Sequence, residues 1–162
     1  MLTKMKTIMV ILGGGGHTKQ LLPLVDRLKN KYKIEYVVRK DGKPAKESIK
    51  GRVFKIMNPR TMQDKNPFLV TLKLFPYTLE AFSILAKSKA EAIIICGPAV
   101  SVPIAFLGKL IFRKKLIFIE SWSRVKSKSL SGRLIGWMAD LIFVQWQENK
   151  SYSRAIYAGR FG

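Results

Sequence analysis

Four consecutive glycines followed by histidine and threonine, Gly13-Gly14-Gly15-Gly16-His17-Thr18, close one apolar run and open an amphipathic one. A strand-to-helix turn of this kind aims backbone N–H groups and the positive end of a helix dipole at one spot, which suits an anion. Glycine there lets the backbone approach a phosphate closely and adopt φ > 0. The same turn can also serve packing alone. Neither nucleotide-binding pattern is complete. The dinucleotide fingerprint wants an acid about 20 residues on, where Arg39 and Lys40 stand instead. His17-Thr18 occupy the place of the phosphate-loop lysine and its Ser/Thr. His17 can cap the helix, bind phosphate or act as a general base, an imidazole at a helix N-terminus being pushed towards its neutral form.

Glu120 ends a second apolar run, at the edge where an open α/β sheet places its ligands. It reads as a site carboxylate, as a partner for Arg124, or as a cap on the segment that follows. Arg124, Lys126, Lys128 and Arg133 are interleaved with serines, with no acid between Glu120 and Asp140. Such a cationic cluster suits a diphosphate or a lipid headgroup, or is simply a solvated loop. Trp122, Trp137 and Trp146 can stack a sugar or lie at a membrane interface, although a buried core is the commoner place for tryptophan. Phe68, Leu69, Val70, Leu72, Leu74, Phe75, Tyr77, Leu79 and Phe82, flanked by Lys65 and Lys73, are denser than one buried helix face requires. That segment either packs in the core or lies in a membrane interface.

The chain has 162 residues, with 30 Lys+Arg against 10 Asp+Glu and a formal charge of +20. Charge so lopsided implies a polyanionic partner: nucleic acid, an anionic membrane surface or a phosphorylated ligand. With 48% hydrophobic residues the chain builds a core and is not a disordered basic tail. Cys96 is the only cysteine and His17 the only histidine, which excludes disulfide frameworks and zinc clusters. No metal and no cofactor are expected, and no signal peptide. The longest uncharged stretch, between Glu91 and Lys109, is broken by Gly97, Pro98 and Pro103. It falls short of the ~20 apolar residues that span a bilayer, so no transmembrane helix is expected.

The elements that position these residues alternate. Strands are expected over Thr7–Leu12, 34–38, 53–57, Ala92–Cys96, 116–119 and Leu141–Val144, with 155–157 as a last short one. Helices are expected over 18–31, over 66–87 with a kink or break at Pro76, over 102–112 and through 135–138. Alternating strands and helices imply βαβ units: an α/β fold with a Rossmann-like open parallel sheet, in a single domain over 1–162.

Several of these features together resemble one family. They are the glycine loop with His17-Thr18 after the first strand and Gly97-Pro98 after the fourth. Next come Glu120-Ser121-Trp122-Ser123-Arg124-Val125-Lys126-Ser127 and, close behind, Ser129-Leu130-Ser131-Gly132. Last, Ala139-Asp140 leads to Val144-Gln145-Trp146. The family is the membrane-anchoring, acceptor-binding subunit of the split UDP-N-acetylglucosamine transferase of lipid-linked oligosaccharide synthesis, with its bacterial exopolysaccharide relatives. The resemblance runs from Met5 to the C-terminus. It implies the N-terminal, acceptor half of a GT-B glycosyltransferase, with the UDP-sugar half in a separate catalytic subunit.

The partners implied are that subunit, an isoprenoid diphosphate sugar and an anionic membrane surface. The location implied is the cytoplasmic face of the cell membrane, held peripherally, because the spanning segment that opens the eukaryotic members is not expected here. The resemblance makes Gly13, Gly14, Gly15, Gly16, Thr18, Arg124 and Lys126 the acceptor diphosphate site. His17 and Glu120 are then candidate bases for an inverting transfer, in which one displacement needs one base to deprotonate the acceptor hydroxyl. Arg160, Phe161 and Gly162 are the implied contact with the catalytic subunit, and the chain alone would bind acceptor without chemistry. The competing readings are an autonomous nucleotide-binding Rossmann protein and a nucleic-acid-binding module. The first lacks the ribose acid and the phosphate-loop lysine. The second is favoured by charge alone, with no helix-turn-helix, RRM signature or zinc spacing, so no nucleic acid is expected.

Overall fold

In the computed structural model the first apolar run forms strand β1 (Thr7–Leu12). The structure describes residues 5–41, 49–58, 67–97 and 101–160, and of 67–73 only the backbone. Helix α1 (Gly15–Leu28) follows, then β2 (Lys33–Arg39), β3 (Arg52–Ile56), α2 (Pro67–Lys87) and β4 (Ala92–Cys96). The second half comprises α3 (Ser101–Phe106), β5 (Lys115–Ile119), α4 (Leu130–Ile135), β6 (Leu141–Val144) and β7 (Ile156–Tyr157). The strands form one parallel sheet in the order β3-β2-β1-β4-β5-β6-β7. This is the expected α/β, Rossmann-like architecture.

The β-branched runs of β1 and β4 are buried on both sides, as central parallel strands must be. Met9 and Ile11 point to one face, where α2, α3 and α4 contribute Tyr77, Leu85, Ile104 and Ile135 to a common core. Ile8, Val10 and Leu12 point to the other, against Leu21 and Val25 of α1. From β1 the sheet grows one way to β2 and β3, and from β4 the other way. The crevice outside the carboxyl ends of β1 and β4 is therefore the topological switch point, where open sheets of this kind bind ligands.

Several expectations shift. Helix α1 starts at Gly15, so Gly15 and Gly16 form its first turn instead of preceding it. Helix α2 is not split at Pro76 but runs through it, and the Thr78 hydroxyl donates to the Leu74 carbonyl at 2.7 Å in the same turn. The helix expected over 102–112 ends as a widened π-helical turn, Leu107–Ile111, in which the Phe112 N–H donates to the Leu107 carbonyl at 3.1 Å. Gly108 lets that turn lie on the sheet, since a Cβ there would meet Ile93 Cδ1 at 2.3 Å. Helix α4 comes earlier than 135–138 because Ser129 caps it, accepting from the Gly132 N–H at 2.9 Å.

Candidate functional site

The site begins where β1 gives way to α1. Gly14 and Gly15 have φ of +88° and +57°, the left-handed region that glycine enters without strain. The Gly14 N–H donates to Thr18 Oγ1 at 2.9 Å, so Thr18 closes the turn. Gly14 is the N-cap of α1 and brings no side-chain oxygen. The first-turn N–H groups of exposed Gly15 and Gly16 therefore face the crevice without intrahelical acceptors, at the positive end of the dipole. Arg39 stands against this loop, donating to the buried Gly13 carbonyl at 3.3 Å while Asp41 clamps its other nitrogens at 2.6 and 2.8 Å. A guanidinium thus occupies the place of a ribose-binding acid.

His17 lies in the same first turn, with its ring on Gly97 at the end of β4. A Cβ on Gly97 would stand 2.8 Å from His17 Cε1 and 3.0 Å from Nδ1, and Gly97 has φ +68°. Glycine is required there by space and by backbone. His17 Nδ1 is buried without a hydrogen-bond partner among the described residues. Burial lowers the His17 pKa below its ordinary 6.5, with the charge of Glu120 opposing, so the imidazole is neutral at pH 7. Native structures normally satisfy such a nitrogen with water or ligand, and a neutral imidazole is the form that can take a proton.

Glu120, the other candidate base, is enclosed at the carboxyl end of β5. The residue is 0% exposed. Oε1 accepts the Ser121 N–H at 2.9 Å, and Oε2 accepts the Ser129 N–H at 3.0 Å and the Tyr152 hydroxyl at 2.5 Å. Three of the roughly four acceptor positions of this carboxylate are thus taken inside the protein, away from solvent. It forms no ion pair with exposed Arg124 among the described residues. Its work is to anchor Ser129, and through it α4. Gly132 makes this possible, because a Cβ there would meet Tyr152 Oη at 1.9 Å and Glu120 Oε2 at 2.6 Å.

Two glutamines, Gln20, which the sequence did not mark, and Gln145, which it marked only as part of a motif, hold the crevice together. Gln20 Oε1 accepts the Trp122 N–H and Gln145 Nε2, both at 3.0 Å, and the Cys96 thiol at 3.6 Å. Gln145 also donates to the Glu120 carbonyl at 2.9 Å. The start of α1 is thereby tied to the carboxyl ends of β4, β5 and β6. Burial, with the Glu120 charge nearby, pushes the Cys96 thiol up to about 12, which makes it a packing group and not a nucleophile. The Ser131 hydroxyl donates to the Gly97 carbonyl at 2.6 Å, joining α4 to the rim of β4.

Arg124 and Lys126 are exposed on the loop that leaves the carboxyl end of β5. Asn149 Nδ2 fixes this loop by donating to the Arg124 carbonyl at 2.8 Å, and Trp146 Nε1 donates to the Trp122 carbonyl at 2.5 Å. Trp122 and Trp137 are 52% and 64% exposed, not core residues. Arg160 lays its guanidinium over Trp146, 4.8 Å from the ring centroid. Phe161 and Gly162 lie outside the described residues, as do Pro98, Lys65 and the side chains of Phe68, Leu69, Val70, Leu72 and Lys73. In the rest of α2, Tyr77 is buried while Leu74, Phe75, Leu79 and Phe82 are exposed. Among the described residues no helix is long and apolar enough to cross a membrane, and no group of side chains could hold a metal ion.

A parallel sheet whose strand order reverses at β1 and β4, with an anion-suited glycine turn in the crevice, is a doubly wound, Rossmann-like fold that halves of GT-B glycosyltransferases share. The crystal structure of MurG from Acinetobacter baumannii matches 97% of this chain with a TM-score of 0.79 at 14% identity. A UDP-N-acetylglucosamine 2-epimerase from Listeria monocytogenes matches 92% with a TM-score of 0.65 at 16% identity. These likenesses are of fold, and the chain spans only 46% and 41% of those two chains. Residues 8–161 match the family described as oligosaccharide biosynthesis protein Alg14 like, and the chain belongs to that family. It is similar to the human UDP-N-acetylglucosamine transferase subunit ALG14, 29% identical over 95% of this chain and 82% of the relative. The Schizosaccharomyces pombe subunit of the same description is 32% identical, again over 95% and 82%.

Proposed function

We propose that this protein is the acceptor-binding, membrane-recruiting subunit of a two-component glycosyltransferase. The complete enzyme moves N-acetylglucosamine from its UDP donor to an isoprenoid-diphosphate-linked sugar. Membership of the Alg14-like family across residues 8–161 carries this reading, because relatives in that family are UDP-N-acetylglucosamine transferase subunits. The acceptor diphosphate lies at the Gly15 and Gly16 amides, with Arg124 and Lys126 adding charge from the loop after β5. His17 takes the proton of the acceptor hydroxyl as its oxygen attacks the donor anomeric carbon. The bond from that carbon to the UDP oxygen breaks, and UDP leaves with the electron pair. The donor half comes from a separate GT-B subunit docked across the crevice, near Arg160, Phe161 and Gly162.

The test is co-expression with a UDP-sugar-binding GT-B half and an assay on lipid-linked sugars. Transfer by the pair and by neither chain alone is the expected result, whereas turnover by this chain alone would remove the two-component reading. Deleting residues 160–162 is expected to weaken copurification. Burial of Phe161 at an interface is worth roughly 1.5–3 kcal/mol, about ten- to a hundredfold in affinity. Unchanged copurification would place the interface elsewhere.

The membrane contact is the outer surface of α2, the π-helical turn and α4. Phe75, Leu79, Leu110, Ile111, Leu134 and Trp137 are 71%, 57%, 58%, 58%, 43% and 64% exposed. Phe82 meets Phe112 with ring centroids 5.2 Å apart and tilted, and Phe106 meets Trp137 edge-on at 6.2 Å, so aromatic contacts join α2 to the end of the π-helical turn and α3 to the end of α4. We expect the purified chain to sediment with anionic vesicles and to be released by salt. Each well-placed cation is worth about 1 kcal/mol at such a surface, screened over ~8 Å. Equal binding to neutral vesicles in high salt would leave an apolar anchor without an electrostatic part.

A further inference from the structure

The cationic cluster of the sequence divides in space. Arg124 and Lys126 stay with the loop after β5, whereas Lys128 and Arg133 turn to the far side of α4. There they line a cavity of about 420 Å³ with Trp137, Tyr152, Ser153 and Arg154. No lining residue is acidic. Arg154 reaches in from the segment before β7. One of its terminal nitrogens donates to the Gly136, Trp137 and Ala139 carbonyls at 3.2, 2.8 and 2.8 Å, which fixes the guanidinium at the end of α4. The Lys128 ammonium sits 4.7 Å above the Tyr152 ring. Arg133 is exposed and has no carboxylate partner among the described residues. The Glu120 carboxylate lies behind the Tyr152 hydroxyl, where three donors already hold it. Three basic residues and no acidic one therefore line this recess.

We propose that this cavity binds the phosphate of an anionic lipid headgroup, separately from the crevice at β1 and β4. The neighbouring surface favours a lipid source, because Trp137 and Leu134 stand exposed beside the recess on the layer assigned above to the membrane. An exposed indole beside basic side chains is a combination found at bilayer interfaces. The proposal rests on that membrane reading, and a soluble phosphate monoester shares the chemistry, so the test has an arm for each.

In the first arm, vesicles of phosphatidylcholine with and without one-fifth phosphatidic acid are titrated with wild type, with Lys128→Gln/Arg133→Gln, and with Lys19→Gln/Lys31→Gln. The last pair removes the same charge from α1 and the turn that follows it, on the opposite face of the sheet. The cavity pair is expected to lose affinity for the acidic vesicles by about fivefold per cation, and the α1 pair little. In the second arm, glycerol 3-phosphate is added to wild type and the amide signals of Gly132 and Gly136, which border the cavity, are followed by NMR. Shifts at these amides that vanish in the cavity pair support the site. If wild type ignores all vesicles but those shifts appear, the membrane reading fails and the phosphate site stands, with a soluble source. Equal losses in both pairs with no shift at either glycine would overturn the proposal and leave only net charge.

Discussion

Glu120→Gln is expected to lower the unfolding free energy by about 1.5–3 kcal/mol, the range for hydrogen bonds to a buried charged group. The amide would turn an NH2 group towards the Ser121 N–H or towards Ser129 and Tyr152, setting donor against donor in a space with no water. Tyr152→Phe removes a single hydrogen bond to the same carboxylate, and about 1.5–3 kcal/mol is expected. The two losses should not add, because both changes disturb one network. Thermal or urea unfolding of the isolated chain reads this directly. If Glu120→Gln unfolds at the wild-type midpoint yet the assembled enzyme loses turnover, the carboxylate belongs to the chemistry and the scaffold account fails.

His17→Ala has the opposite profile. In the co-expressed pair it is expected to cut kcat by about 10²–10⁴-fold, the range of a lost general base, while the chain still folds and copurifies. The pH dependence has a definite sign. Burial places the folded-state pKa of His17 below 6.5, so the basic form persists as the solution is acidified past the ordinary value. The acidic limb of kcat/KM should therefore fall below pH 6.5. The same shift makes the unfolded chain the better proton acceptor. Stability tied to His17 is present above pH 6.5 and is lost as pH falls through the lower folded value, and His17→Ala should remove that loss. An acidic limb above 6.5, or unchanged turnover in the variant, would assign the base to the other subunit.

What could be read in the sequence follows the range of the interactions involved. The strands Thr7–Leu12, Ala92–Cys96 and Leu141–Val144 appear with their expected bounds because each is a buried apolar run that a local period reveals. The glycine loop was legible for the same reason. Its helix starts earlier than expected because Thr18 bonds back to Gly14 and draws two glycines into the first turn, against their propensity. Of the kink or break expected at Pro76 the break does not occur, and α2 packs on the sheet beyond it through Tyr77, Ala81, Ile84 and Leu85. The role of Glu120 was beyond local reading. Its chemistry as a base or as an anchor depends on Tyr152, 32 residues away, and nothing between them marks the pair. The glutamines fall under the same limit, with Gln20 meeting Trp122 and Gln145 across 102 and 125 residues.

That single Gln20 oxygen has a dynamic consequence. Three segments donate to one acceptor on a fourth, so displacing Gln20 releases all three hydrogen bonds at once. The start of α1 and the three strand ends open as one cooperative unit, and local fraying of the loop that carries Trp122 is suppressed. A ligand that settles on the glycine turn thus meets a lip already set at its working shape, and the ordering entropy of that lip belongs to folding instead of binding.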